Sequence, residues 1–201
     1  MSDPPWLWLI AGPNGTGKST YAENNLAPNV REIVRPDLIA QELSPGAPDK
    51  VKLEAGRIAL RRMRDLLAKR RTFAIETTLS GRLHLKILRL AKSRDWGVGV
   101  VFIGLRSPRL AIQRVKRRRL QGGHDVPPAE VRRRYGRSLA NLPVAHEIAD
   151  VVLVLDNSSA THPMKRVFES HRQDVIYRDR ALPTWLRRAM GAKLRRPGSP
   201  G

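Results

Sequence analysis

LIAGPNGTGKST, residues 9–20, sets a short apolar run directly against a glycine loop that ends in a lysine and two hydroxyls. From Gly12 to Ser19 it fits the pattern G-x-x-x-x-G-K-[ST] without a mismatch. Each constrained position has a chemical reason. Glycines let the backbone wrap so that successive N–H groups point inward at phosphate oxygens. Amides at the start of the helix behind the loop add their dipole. In such a loop the lysine, Lys18, reaches the β- and γ-phosphates, and the Ser19 hydroxyl coordinates Mg²⁺. The segment Gly12, Pro13, Asn14, Gly15, Thr16, Gly17, Lys18, Ser19 and Thr20 is therefore expected to cradle ATP with Mg²⁺.

The context around the loop agrees. An apolar strand, LWLIA (7–11), precedes it and a helix from Lys18 to Asn25 follows. Beyond it, strand and helix patterns alternate. REIV (31–34) reads as a second strand, Asp37–Leu43 as a short helix, and Asp49–Arg70 as a long one with Ala55, Ala59, Met63 and Leu66 on one face. TFAIETT (72–78), VGVVFIGL (98–105) and DVVLVLDNS (150–158) complete a predicted set of five strands. Helical patterns follow at 83–94, from Pro108 to Leu120, and from Pro128 to Leu139, with GGHDVP between the last two. Strands alternating with helices of this length predict an α/β fold, a mostly parallel five-stranded sheet with helices on both faces. KRVFES and QDVIYR suggest a small hairpin, and PTWLRRAMGAK a terminal helix. The expected organisation is one domain, with a core over 7–158, a C-terminal extension over 159–190 and a basic flexible tail over 191–201.

Composition narrows the chemistry. The chain of 201 residues contains no cysteine, which excludes disulfides, thiolate metal sites and cysteine nucleophiles and makes a reducing cytoplasm the expected location. No apolar run approaches the roughly 20 residues of a bilayer span. MSDPPWLWLIAG lacks the basic n-region of a signal peptide. The formal charge is +20, and between Arg106 and Arg137 eleven Lys or Arg stand against two acids, Asp125 and Glu130. Such a field attracts phosphates, whether of nucleotides or, non-specifically, of nucleic acid; solvated arginines that need no ligand account for part of it.

A phosphate loop is common to kinases, switch GTPases and ATPase motors. The chain is short for most motors, shows no NKxD-type guanine-reading segment, and offers only the late Asp156 as an acid after an apolar strand. A small-molecule kinase remains, and it needs a base, an acceptor pocket and arginines over the phosphates. Asp37 lies just past the second strand, where parallel sheets open their ligand crevice; it is either a base for an attacking hydroxyl or an acid favoured by a helix dipole. Glu76 ends the third strand and is followed by Thr77, Thr78 and Ser80. This set suits a polyol or sugar acceptor, or a water-mediated Mg²⁺ contact; the alternative is a helix cap. Arg114, Arg117, Arg118 and Arg119 precede the glycine pair of GGHDVP, and Arg132, Arg133 and Arg134 follow it, the layout of a hinged, arginine-bearing lid.

Taken together, AGPNGTGKST, RPDLIA, FAIETTLSGR, RVKRRRLQGGHDVP, RRRYGRSLANL and ADVVLVLDNS resemble the zeta-toxin family of P-loop kinases over residues 7–158. The resemblance implies a nucleoside-monophosphate-kinase-like fold and transfer of a phosphoryl group to the 3′-hydroxyl of the amino sugar in UDP-N-acetylglucosamine. It implies that Lys18 and Ser19 hold ATP and Mg²⁺, that Asp37 is the general base, and that Glu76 and Thr78 contact the sugar. Arg114 or Arg118 matches the first phosphate-stabilising arginine of the family. The second falls near His124, which joins the acceptor-side set with Thr77; Arg134, with Arg133 behind it, is the expected replacement. The GGHDVP form resembles a shorter, free-standing branch; the toxins of the family imply a helical antitoxin partner that plugs the nucleotide site, and a free-standing chain implies none. Other hydroxyl acceptors (an antibiotic of the chloramphenicol type, a nucleic-acid 5′ end) and a non-catalytic ATP-binding module are the competing readings. Only ten aromatic residues are present, a poor stacking platform for single strands.

Overall fold

The computed structural model of the chain describes residues 3–26, 30, 32–121 and 126–194. Strand β1 (Trp6–Ala11) runs into the glycine loop and α1 (Lys18–Asn25), and β2 (Ile33–Val34) into α2 (Pro36–Leu43). After a 3-10 turn come α3 (Lys52–Ala68), β3 (Phe73–Thr77), α4 (Leu83–Lys92), β4 (Gly97–Gly104), α5 (Pro108–Leu120), α6 (Pro128–Ile148) and β5 (Val151–Asp156). A hairpin of β6 (Lys165–His171) and β7 (Asp174–Arg178), the helix α7 (Thr184–Met190) and a 3-10 turn (Gly191–Leu194) close the order. Leu194 is buried in the main core, so residues 191–194 belong to the fold and not to the expected flexible tail.

The strands form one sheet in the order β2-β3-β1-β4-β5-β6-β7. The first five are parallel neighbours, as the alternating pattern predicts. The sheet does not stop there, which corrects the expectation of five strands. β6 pairs antiparallel with β5, from Val151↔His171 to Asp156↔Lys165, and β7 pairs with β6, so the sheet has seven strands. The presumed extension is integral to the core for the same reason: Val167, Phe168, Leu182, Trp185, Leu186 and Met190 are all buried with it.

Alternation along each strand builds the two faces. Leu7 and Leu9 of β1, Val100 and Phe102 of β4, and Val152 and Val154 of β5 join α3, α4, α6 and α7 in the main core. Ile10, Val101, Ile103 and Leu155, one position out of step, pack with Ala22 of α1 on the other face. β4 is buried at all eight residues, as a central parallel strand should be. A third cluster, Leu105, Ala111, Val115, Val126, Val131 and Tyr135, ties α5 to α6. Its anchor is the Tyr135 hydroxyl, which donates to the Leu105 carbonyl at 2.7 Å; burial, then the charge of Asp156, pushes this phenol up to about 12.

Helix α6 runs nine residues past Leu139, through Pro143, to Ile148. Proline removes one intrahelical hydrogen bond and costs about 3 kcal/mol in a helix interior. Leu142 and Ala145 on either side are completely buried in the main core, and burying a leucine alone contributes about 1.5–3 kcal/mol. Packing overrides the break.

Candidate active site

All the motif-bearing segments leave the parallel strands at the same end. The glycine loop follows β1, Asp37 stands in the first turn of α2 after β2, Glu76 lies next to last in β3, and Asp156 ends β5. In-register pairing puts Glu76 beside Ile10 and Asp156 beside Gly104.

The loop glycines Gly12, Gly15 and Gly17 all have positive φ, and Gly12 and Gly17 show why. Gly12 has φ 138°, and a Cβ there would stand 2.1 Å from the Ile103 carbonyl oxygen. Gly17, with φ 87°, caps α1, and its missing Cβ leaves room for the Met164 methyl. Inside the loop the Pro13 carbonyl accepts from the Thr16 hydroxyl at 3.0 Å and from Lys18 Nζ at 2.9 Å. Lys18 is only 8% exposed. Burial holds its ammonium below the ordinary lysine range, against the opposing pull of Glu76 and Asp37, while Arg118 and Arg134 add to the lowering. One buried cation thus feels both proposed carboxylates and two of the proposed arginines.

Glu76 is held at both oxygens. Ser19 Oγ donates to Oε1 at 2.9 Å, and Arg35 Nε stands 3.5 Å from Oε2. Ser19 and this carboxylate form a hard-oxygen pair suited to Mg²⁺ with phosphate and water as further donors. No cluster of three or more His, Cys, Asp or Glu occurs among the described residues, so a cage made by protein alone is not what the site offers. Thr20 is exposed on α1, and the Asn14 Oδ1 is buried in the loop without a partner.

The arginines divide. Arg134 donates from Nε to Glu130 Oε1 at 2.6 Å, and Arg133 binds the same carboxylate through Nε and Nη2. The bonds from Arg133, and then that from Arg134, pull Glu130 down to about 2. Arg133 is half exposed, whereas Arg134 has only 23% of its side chain in solvent and acts on Lys18. Arg114 sits elsewhere: a Cβ on Gly15 would meet its Cβ at 3.2 Å, which places it against the loop's outer wall. Burial lowers its guanidinium, with Arg117 and Arg106 adding to the effect and Asp156 opposing.

Arg114 also lines a cavity of about 590 Å³ with Arg106, Arg117, Asp156 and Ser158 to Thr161. This cavity adjoins the phosphate loop and was not legible from the motifs. Asp156 shapes it rather than facing Lys18: the carboxylate accepts from the Ser158 hydroxyl and from Trp185 Nε1 at 3.3 Å. Asn157 reaches the other way, donating from Nδ2 to the Thr16 carbonyl at 2.9 Å while its Oδ1 accepts from Met164 N at 3.3 Å.

On the acceptor side, Thr77 and Thr78 have different surroundings. Thr77 is buried, accepts from Leu79 N at 3.1 Å and contacts His84 Nδ1 at 3.1 Å, so its hydroxyl is used within the protein. Burial brings His84 down to about 4, a neutral imidazole near pH 7. Thr78 pairs with the Ser80 hydroxyl at 2.9 Å, and Asn141 of α6 donates to the Leu79 carbonyl at 2.9 Å. The 77–80 turn is thereby tied to the arginine-bearing helix. His124 and the glycine pair lie outside the described residues.

A family model described as "AAA domain" matches residues 7–141. An uncharacterized protein of Haemophilus influenzae is 31% identical over 136 residues, 64% of this chain and 96% of that protein. A chain of the AvrRxo1-ORF1:ORF2 complex solved with ATP superposes with a TM-score of 0.69 at 16% identity, over 85% of this chain. The present chain spans only 60% of that one. The PezAT chromosomal toxin-antitoxin system of Streptococcus pneumoniae gives a TM-score of 0.64 at 16% identity, covering 94% of this chain and 79% of that one. These likenesses extend the shared fold beyond the segment that the family model matches. No helix among the described residues is long and apolar enough to cross a membrane.

Proposed function

The chain belongs to the AAA domain family, and from that footing we propose that it is an ATP- and Mg²⁺-dependent kinase that transfers the γ-phosphoryl group to a hydroxyl of a small molecule. The observation that carries the reading is that buried Lys18 in the phosphate loop, the Ser19–Glu76 pair beside it and Asp37 in the first turn of α2 all stand at the same end of the parallel strands, where the charges of Glu76, Asp37, Arg118 and Arg134 act on Lys18. A phosphate loop needs only the first lysine to hold nucleotide; two carboxylates and two lid-side arginines around it are the parts that phosphoryl transfer requires.

In this reading the loop from Gly12 to Thr20 binds the phosphates, and Ser19, supported by Glu76, holds the ion. Bound Mg²⁺ would supply charge neutralisation across the β- and γ-phosphates. Asp37 takes the proton of the attacking hydroxyl. Arg118 and Arg134 stabilise charge on the transferring group. Arg114, on the cavity beside the loop, belongs with the nucleoside end of ATP. Glu76 and Thr78 face the acceptor, and Thr77 serves it indirectly by shaping the turn.

For the acceptor we favour UDP-N-acetylglucosamine or a related nucleotide sugar. The motif resemblance to the zeta-toxin family supports this choice, and the fold shared with the PezAT toxin-antitoxin system is compatible with it. The zeta-toxin resemblance also suggests an antitoxin-like partner over the nucleotide site; PezAT is a toxin-antitoxin system, and AvrRxo1-ORF1 was solved with a second protein, ORF2. The test is incubation with Mg²⁺, ATP and UDP-N-acetylglucosamine, scored by mass for a phosphoryl group on the sugar nucleotide, beside Lys18→Ala. A product that depends on Lys18 is expected. Bound ATP with no product would overturn the acceptor and leave the kinase reading to other hydroxyl compounds; no ATP binding would overturn both.

A further inference from the structure

Arg35 belongs to none of the motif positions to which the kinase reading gives a role, yet it stands between two of them, Asp37 along the chain and Glu76 across the crevice. It precedes Pro36 and Asp37 at the N-cap of α2, where its carbonyl accepts from Ile39 N at 3.1 Å. Its Nη1 lies 3.5 Å from Glu23 of α1, and its Nε 3.5 Å from Glu76 of β3. The Nε is buried and makes no hydrogen bond. An orphaned buried donor is costly, and the acceptor within reach is the second oxygen of Glu76, whose first oxygen is engaged by Ser19.

We infer that Arg35 is a positioning residue for Glu76, fixing its carboxylate beside Ser19 so that the ion-binding pair is assembled before Mg²⁺–ATP arrives. The inference rests on the assignment of Ser19 to the ion. Glu76 has three side-chain torsions, and a carboxylate left free would lose the Ser19 contact whenever another donor enters the crevice. Arg35 restrains it from the opposite side, with a guanidinium whose own backbone is locked by the start of α2. When the Ser19 hydroxyl turns to a cation, the Arg35 contact is the one that remains, and closing it by a few tenths of an ångström satisfies the buried Nε.

Electrostatics alone predicts the opposite sign for the test. Removing a positive charge next to a dication site should tighten cation binding. Removing a positioning residue should loosen it.

The experiment is calorimetric titration of ATP into wild type, Arg35→Gln and Arg35→Lys, each in Mg²⁺ and in EDTA, with thermal melting to verify folding. No acceptor is involved, so the outcome is independent of which hydroxyl is phosphorylated. Arg35→Gln is expected to leave ATP affinity in EDTA within about threefold and to lower the gain from Mg²⁺ about fivefold or more, the size of one lost charge-assisted contact. Arg35→Lys keeps the charge without the fork and should fall between; it also provides the reading if the glutamine variant does not fold. An unchanged or larger Mg²⁺ gain in both variants overturns the inference. Wild type that binds ATP equally well with and without Mg²⁺ overturns the ion assignment beneath it.

Discussion

Asn157 and Thr16, 141 positions apart in sequence, are joined by a 2.9 Å hydrogen bond from the asparagine amide to the backbone carbonyl inside the phosphate loop. The same side chain accepts from Met164 N, so the segment after β5 and the loop after β1 are clamped as one unit. The loop's amides can face phosphate only while the Thr16 carbonyl is held away from it. Asn157→Asp keeps the size but puts a carboxylate oxygen against a carbonyl oxygen. Losing a buried hydrogen bond of this kind costs about 1–3 kcal/mol. ATP affinity measured by calorimetry should fall about tenfold or more for Asn157→Asp and less for Asn157→Ala. Unchanged affinity in the aspartate variant would remove the clamp from the account.

Lys18 and Asp37 should separate binding from chemistry. Lys18 is buried in the loop and donates to the Pro13 carbonyl, a bond that ATP must replace with phosphate. Lys18→Ala should lower turnover at least about 100-fold, the usual loss for one donor to developing charge, and weaken ATP as well. Asp37 lies in the first turn of α2 and touches no part of the loop in the hydrogen-bond network. Asp37→Asn should leave ATP affinity unchanged while turnover falls about 10²- to 10⁴-fold, the span of general-base loss. Equal losses in both quantities would make Asp37 a structural acid at a helix N-terminus.

Arg133 and Arg134 are adjacent and share one carboxylate, which makes them a controlled pair. Arg134→Ala should lower turnover about 10²-fold or more, because Arg134 acts on Lys18. Arg133 points into solvent with half its side chain exposed. Arg133→Ala should stay within about twofold, as exposed ion pairs contribute little. Comparable kcat values for the two variants would refute the assignment.

The strand-loop-helix core around residues 9–20 was legible because a buried parallel strand reads as an uninterrupted apolar run and the glycine spacing is chemically fixed. Two features were not. β7, exposed at alternate residues on the edge of the sheet, carries too little burial to reveal that β6 pairs with β5. Pro143 reads locally as a helix end, and only the tertiary burial of Leu142 and Ala145 shows why α6 continues. In the site, Lys18 was readable from the loop motif, and Asp37 and Glu76 because each lies at or just past the C-terminal end of a strand. Asn157 and Arg35 were not, since their roles exist only once β5 meets the loop and β2 meets β3. Thr77 illustrates the converse: its type suits an acceptor site, but His84 and Leu79 claim its hydroxyl.

That claim on Thr77 has a pH signature. His84 titrates at about 4 in the folded protein, because burial disfavours the charged ring, against about 6.5 in an unfolded chain. Between these values the unfolded state binds more protons than the folded one, so folding stability rises with pH across the window and levels off above it. Acidification from pH 7 should therefore erode stability progressively from about pH 6.5 down to about pH 4. His146, buried on α6 with neither ring nitrogen hydrogen-bonded and lowered for the same reason, pushes in the same direction. Glu130 acts lower, since its contribution is lost only as pH falls through the carboxylate range toward about 2. The discriminating measurement is the urea midpoint of wild type and His84→Asn between pH 7 and pH 4. Asparagine can contact the Thr77 hydroxyl but does not titrate, so its curve should be flatter than that of wild type by the His84 share. Parallel curves would show that this imidazole gains its proton without cost to folding, and would remove His84 from the acid-sensitivity account.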